Sequence, residues 1–189
     1  TSILRPHLKD SVLELGAGIG NIAGRLMAKR LHYIAAEKDP LYLHALHNRF
    51  LRTPNVSVRT IDPAVPSHFD AVRGSVETVL CLNVLEYVPD PAATLRSIHA
   101  TLQPEGVLLV LVPQGSRVYG TIDETLGHKR RFEPSSLCEI LESNGFTVQR
   151  LYQLNKFGKP AWWLYGRVLK RKHISKITLK LFDKTVWLW

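Results

Sequence analysis

"VLELGAGIGN", residues Val12–Asn21, decides how this chain is read. An apolar run breaks into Gly16-Ala17-Gly18-Ile19-Gly20, the signature of a strand that turns into a helix through glycines. Glycine lets backbone approach a ligand closely, with a helix N-terminus behind it. A dinucleotide site needs Gly-x-Gly-x-x-Gly facing a pyrophosphate. Here the interval is shorter, although Gly18 to Gly24 leaves a looser pattern open. Glu14, two residues before the first glycine, suits a ligand carrying an ammonium better than one carrying two phosphates.

Outward from the turn, strands and helices alternate. Val12–Leu15 predicts a strand and Asn21–Arg30 a helix with Ile22, Leu26 and Met27 on one side. Tyr33–Ala36 is a second strand, closed by Glu37. Asp39-Pro40 caps a helix running to Leu51. Val56–Ile61 and Thr78–Leu82 are further strands. Asp90-Pro91 opens a helix with Leu95, Ile98 and Leu102 on its buried face, and Gly106–Val112 reads as a strand covered on both faces. After an irregular stretch, Pro113–Glu133, Ser136-Leu137-Cys138-Glu139 predicts a capping box for a helix ending at Asn144-Gly145, and Phe146–Tyr152 predicts a sixth strand. The order implies an α/β fold, a doubly wound, mostly parallel sheet with helices on both faces.

Carboxylates at the strand ends narrow the ligand. Glu37 can accept both ribose hydroxyls of a nucleoside, and Asp62, following Ile61, can take an adenine amino group. Asp62 equally suits a turn cap before Pro63, and Asn83 and Glu86 equally suit strand-end and loop roles. A glycine turn, a ribose acid and an adenine acid together fit an adenosine ligand without pyrophosphate.

At these positions the chain resembles the class I S-adenosylmethionine-dependent methyltransferases. "VLELGAGIGN", "YIAAEKDP", "CLNVLEYVPD" and "LQPEGVLLVLVP" match four ordered motifs across residues 5–152. "LGHKRRFEPSSLCEILESNGF" is similar to a subgroup of small-molecule type, which often has His where Tyr87 stands. The resemblance implies S-adenosyl-L-methionine as cofactor. Gly16, Gly18 and Gly20 would pass beneath it, Glu14 would orient its amino group and Glu37 its ribose. Asp62 with Ile61 would hold the adenine, and Asn83 the methionine side. His128 is a candidate general base, and Arg130 and Arg131 candidate anchors for an anionic acceptor, because long loops at the carboxyl edge of such sheets are commonly functional. The acceptor expected is a small or lipid-linked molecule. A nicotinamide-dependent oxidoreductase and a non-catalytic binding domain are the alternatives.

Composition frames the rest. The 189 residues are 45% hydrophobic and 22% charged, which suits one domain with a substantial core. Cys81 and Cys138 stand far apart, as reduced cytoplasmic thiols do, and no Cys/His spacing suggests a metal. Thr1 in place of Met points to an excised or processed domain. Residues 1–155 hold 16 Lys/Arg and 15 Asp/Glu, against nine Lys/Arg and Asp183 alone in residues 156–189. The division predicts a methyltransferase domain, 1–155, and a basic amphipathic helical appendage, 156–189. Trp162 and Trp163 beside that charge suit an anionic membrane surface, and their clustering away from the basic residues disfavours nucleic acid. A seventh, antiparallel strand of the family has no clear candidate, since Thr185–Trp189 reads equally well as helix.

Overall fold

A computed structural model describes residues 2–153. The appendage of 156–189 and the segment Thr185–Trp189 lie outside the described residues. Within them the chain forms two compact units, one of residues 2–112 with 144–146, the other of 113–143 with 147–153.

The first unit is built on strands β1 (Ser11–Leu15), β2 (His32–Glu37), β3 (Val56–Thr60), β4 (Val76–Leu82) and β5 (Leu102–Leu111). They form one parallel sheet in the order β3-β2-β1-β4-β5. The chain runs outward from β1 to β3 on one side, then returns to β4 on the other. That reversal opens a crevice at the carboxyl ends of β1 and β4, where such sheets bind ligands. The register brings Leu15, Ala36 and Cys81 level, with Glu37 beside Thr60.

Both faces of the central strands are buried. Val12, Tyr33, Ala35 and Leu80 pack with Leu46 and Phe50 of α2 (Pro40–Phe50) and with Ala23 and Leu26 of α1 (Ala23–Leu26). The alternate residues Leu13, Leu15, Val79 and Cys81 point the other way and are also fully covered. Leu95 and Ile98 of α3 (Pro91–Thr101) are buried, as are Phe69 and Val72 of the 3-10 segment Pro66–Val72 that packs on α3. Asp39 caps α2 by accepting from the backbone N–H of Leu41 and Tyr42, and Asp90 caps α3 through Ala93. Both helices place Pro first, as the sequence signals.

Several boundaries differ from the sequence reading. The first helix is four residues long instead of spanning Asn21–Arg30. Gly20 and Gly24 carry low helix propensity, and Lys29 (φ 66°) turns left-handed, which ends the helical path. Leu102 leaves α3 as an extended residue and starts β5, four residues ahead of Gly106; the pairing with β4 shifts register between Val76 and Thr78. β5 is half-buried, and among the described residues it is an edge strand with β4 as its one partner. Residues 146–152 join no ladder, so the expected sixth strand is absent from the described sheet. Alternating apolar residues make a strand only where a neighbour's backbone pairs with them.

In the second unit, residues 113–133 are more ordered than the sequence suggests. They carry a 3-10 turn at Ser116–Val118 and a helix, α4 (Thr121–Leu126). α5 (Pro134–Glu142) starts earlier than the expected capping box, with Glu133 at the N-cap and Pro134 in the first turn. Ser136 sits inside the helix, its hydroxyl accepting from the Glu133 N–H at 3.2 Å. Proline's fixed φ made the earlier start the favoured one.

Candidate active site

The turn after β1 is held by its own backbone and by one carboxylate. Gly16, Gly18 and Gly20 all have positive φ, at 67°, 56° and 79°. At Gly20 a Cβ would come within 2.6 Å of the Phe50 ring and 3.0 Å of Leu46, so this glycine is also required by packing. At Gly18 nothing lies within 4 Å of that position, which leaves open space above the turn. Glu37, buried at the end of β2, accepts from the Gly18 N–H at 2.8 Å with Oε2. Its Oε1 accepts from the N–H of Lys38 and Asp39 at 2.7 and 3.1 Å. A carboxylate has about four acceptor positions, so these bonds fix its orientation and still leave capacity for a hydroxyl donor.

Glu14 lies beneath the turn, 2% exposed. The Tyr33 hydroxyl donates to its Oε2 at 2.6 Å. Burial pushes the Glu14 carboxyl up to about 7; the hydrogen bonds from Tyr33 and from the Ala23 backbone pull the other way, and the charge of Glu37 adds to the rise. The Tyr33 phenol is itself pushed up, by burial and by Glu14. Sequence reasoning treated Tyr33 as a strand residue only. A buried tyrosine needs a partner for its hydroxyl, which was the available signal, but only the β1–β2 register shows that the partner is Glu14.

The remaining positions sit at the ends of β3 and β4. The Ile61 N–H donates to the Glu37 carbonyl at 3.1 Å, and Ile61 is buried. Asp62 Oδ1 accepts from the Ala64 N–H at 3.0 Å, so Asp62 does cap the turn at Pro63, while Oδ2 lies 3.6 Å from Lys38 Nζ. That ion pair ties the ends of β2 and β3 together. Asn83 ends β4 in the left-handed region (φ 54°), which asparagine tolerates better than most residues, and its N–H donates to the Leu111 carbonyl at 2.8 Å. Glu86 is 1% exposed in the loop that follows. The Cys81 thiol is pushed far up by burial and by the charge of Glu86, which makes it a core residue and not a nucleophile. Gly16, Gly18, Gly20, Glu37, Ile61, Asp62 and Asn83 therefore lie along the carboxyl edge of β1–β4, with Glu14 below them.

The profile of a family described as a methyltransferase domain matches residues 4–151. The chain belongs to this methyltransferase family. Its class I S-adenosylmethionine-dependent fold accounts for the five-stranded order. One relative is the ubiquinone biosynthesis O-methyltransferase of Aeromonas salmonicida, 27% identical over 158 residues, covering 73% of this chain and 63% of that protein. The chain thus spans a little under two thirds of this relative's length. Among solved structures, the trans-methyltransferase CalH in complex with S-adenosylhomocysteine is 25% identical, with a TM-score of 0.58 over 75% of this chain and 45% of that one. An S-adenosylmethionine-dependent methyltransferase from Mesorhizobium loti gives a TM-score of 0.67 at 14% identity, over 85% of this chain and 89% of that one, a likeness of fold. S-adenosyl-L-methionine is the cofactor of the family.

The second unit of the chain holds the residues that the loop reading singled out. Asp123 is fully buried, and its Oδ1 lies 2.9 Å from both His128 Nδ1 and Arg131 Nε. Oδ2 accepts from the Gly120 N–H at 3.1 Å. Arg131 also donates to the Gln114 carbonyl, and the Tyr119 hydroxyl donates to the His128 carbonyl at 2.8 Å. Asp123 was not among the expected site residues. An Asp five residues before a His is a weak signal without the helix turn and the left-handed Gly127 (φ 79°) that bring them together. Tyr119 thereby braces the same loop. With Nδ1 protonated toward Asp123, the imidazole presents Nε2 as its acceptor nitrogen.

Proposed function

We propose that the chain transfers a methyl group from S-adenosyl-L-methionine to the hydroxyl oxygen of a small or lipid-linked acceptor. The observation that carries this reading is the bond between Glu37 Oε2 and the Gly18 N–H beside the open space at Gly18. A fixed carboxylate next to an uncrowded glycine backbone fits a ribose. When bound, S-adenosyl-L-methionine supplies a sulfonium-activated methyl group. The protein's share is then orientation and exclusion of water.

In this reading Glu37 binds the ribose hydroxyls, and Asp62 with Ile61 holds the adenine. Asn83 lines the methionine side. Glu14 acts from below the glycines, its charge available to an ammonium near neutral pH. His128 is the general base that takes the acceptor's hydroxyl proton, a role resting on its pairing with Asp123. Arg131, bonded to Asp123 and Gln114, is a positioning residue for that histidine. The oxygen acceptor is supported by the relatives named ubiquinone biosynthesis O-methyltransferase, at 27% and 32% identity, each covered over 63% of its length.

Calorimetric titration with S-adenosylhomocysteine and with NAD tests the ligand. S-adenosylhomocysteine should bind and NAD should not; the reverse order overturns the proposal. Turnover of S-adenosyl-L-methionine against a panel of phenolic, amine and carboxylate acceptors tests the chemistry. Methylation of phenols alone supports a hydroxyl acceptor, and methylation of the amines or carboxylates alone overturns it. Ligand binding without turnover on any of them favours a binding domain.

A further inference from the structure

The opposite edge of the sheet carries a feature that the methyl-transfer reading does not use. A cavity of about 210 Å³ is lined by Arg5, Arg25, Leu26, Ala28, Lys29 and Arg30. Arg5 precedes β1, and Arg30 precedes β2, so the cavity sits at the amino ends of strands whose carboxyl ends form the glycine site. Five residues of β1 separate the two edges, about 17 Å at the usual rise of a strand.

Four of the six lining residues are cations, and among the described residues none of the four takes part in an ion pair. Arg30 is anchored through Nη1, which donates to the Leu8 and Lys9 carbonyls at 2.9 and 3.2 Å. Its Nε is buried and has no hydrogen-bond partner. A buried guanidinium donor left unmet is unfavourable, and an oxyanion would satisfy it. Lys29 adds a second sign of constraint, since it holds a left-handed backbone (φ 66°) that lysine seldom adopts. Arg5 Nη2 donates to the Arg25 carbonyl at 3.2 Å, which keeps the 3-10 turn Arg5–His7 against the end of α1.

We propose that this cavity is a second ligand site of the chain, taking the phosphate group of a small phosphomonoester. Four cations favour a doubly charged oxyanion over a singly charged carboxylate. The volume is below the roughly 300–1,000 Å³ of sites for drug-sized ligands, which suits a compact anion, and the Leu26 and Ala28 wall accepts a short apolar remainder. The phosphate could belong to a soluble metabolite or to a lipid headgroup. The chemistry at the guanidinium is the same for both.

The test is calorimetric titration of the full chain with inorganic phosphate, glycerol 3-phosphate and acetate. Phosphate and its ester should bind saturably at one site per chain, and acetate should bind far more weakly. Arg30→Gln should weaken phosphate binding by about tenfold or more, and so should the double variant Arg25→Gln/Lys29→Gln, which keeps the Arg30 anchor and guards against misfolding. Thermal melts by circular dichroism confirm that each variant folds. Arg59→Gln, a charge change on exposed β3, should leave the affinity unaltered. Sedimentation with phosphatidylcholine vesicles, with and without phosphatidic acid, separates the sources. Vesicle binding that Arg30→Gln weakens, beyond any attachment through residues 156–189, assigns a headgroup, and binding of the soluble ions with vesicle binding unaltered by Arg30→Gln assigns a metabolite. Absence of saturable phosphate binding, equal binding of acetate, or equal losses in Arg59→Gln overturns the proposal.

Discussion

Two carboxylates in the cofactor region do different work because their surroundings differ. Glu37 accepts three backbone N–H bonds, which hold it in place and leave about one acceptor position for a ribose hydroxyl. Glu37→Ala should weaken S-adenosylhomocysteine binding by about 1.5–3 kcal/mol, the range for hydrogen bonds to a charged group, as read by calorimetry. Unchanged affinity in a folded variant would remove the ribose assignment. Glu14 is buried, and its carboxyl rises from 4.5 to about 7. Because the folded value lies above the unfolded one, the contribution of Glu14 to stability is complete below pH 4.5 and is lost as pH rises through about 7. The loss approaches about 3 kcal/mol at one pKa unit per ~1.4 kcal/mol. Glu14→Gln, which still accepts from Tyr33, should flatten that decline. Urea unfolding at pH 5 and pH 8 measures it, and an unchanged difference between wild type and variant would show that Glu14 does not titrate in this range.

Among the elements, the glycine turn separates packing from function. Gly20→Ala meets Phe50 and Leu46, so overpacking of about 1–3 kcal/mol should add to the left-handed backbone cost of about 1–2 kcal/mol. Gly18→Ala meets nothing, so it should carry the backbone cost alone while placing a methyl group where the ligand is proposed to lie. Melting temperature should fall more for Gly20→Ala, and S-adenosylhomocysteine affinity more for Gly18→Ala. The reverse ranking would place the ligand elsewhere. In the second unit, Asp123 binds two of the loop's candidates, His128 and Arg131. His128→Ala should lower turnover and leave S-adenosylhomocysteine affinity within about threefold, ~0.65 kcal/mol. Arg131→Ala should lower turnover too, with a loss of stability that His128→Ala does not share, since it strips a buried carboxylate of its cation. Full activity in both variants would remove the loop from the chemistry.

For the whole molecule, charge is sharply partitioned along the sequence. Residues 1–155 are nearly neutral, and 156–189 carry nine Lys/Arg against one Asp. We expect the full chain to sediment with anionic vesicles and a chain ending at Asn155 not to. Each basic residue near an anionic surface contributes about 1 kcal/mol, screened over about 8 Å at physiological salt. The binding should therefore fade at high salt, and circular dichroism shows whether the shortened chain folds. Equal, negligible binding to anionic and neutral vesicles would reject the membrane reading. No helix of the described residues is long and apolar enough to cross a bilayer.

Local signals were enough for part of this. Glycine spacing, Asp-Pro caps and acids at strand ends are set by neighbours a few residues away, so the order of elements, the turn at Gly16–Gly20 and the positions of Glu37 and Asp62 were legible in the sequence. Where outcomes depend on distant partners, the sequence was silent. The first helix stops at Leu26 where its periodicity continues, and residues 146–152 alternate without pairing, because a strand needs a neighbour's backbone. Only folding brings Tyr33 to Glu14, Asp123 to His128 and Arg131, and Arg5 to the cations near Arg30. Those contacts are side-chain meetings fixed by register and turn geometry, and burial at the first of them raises the Glu14 carboxyl.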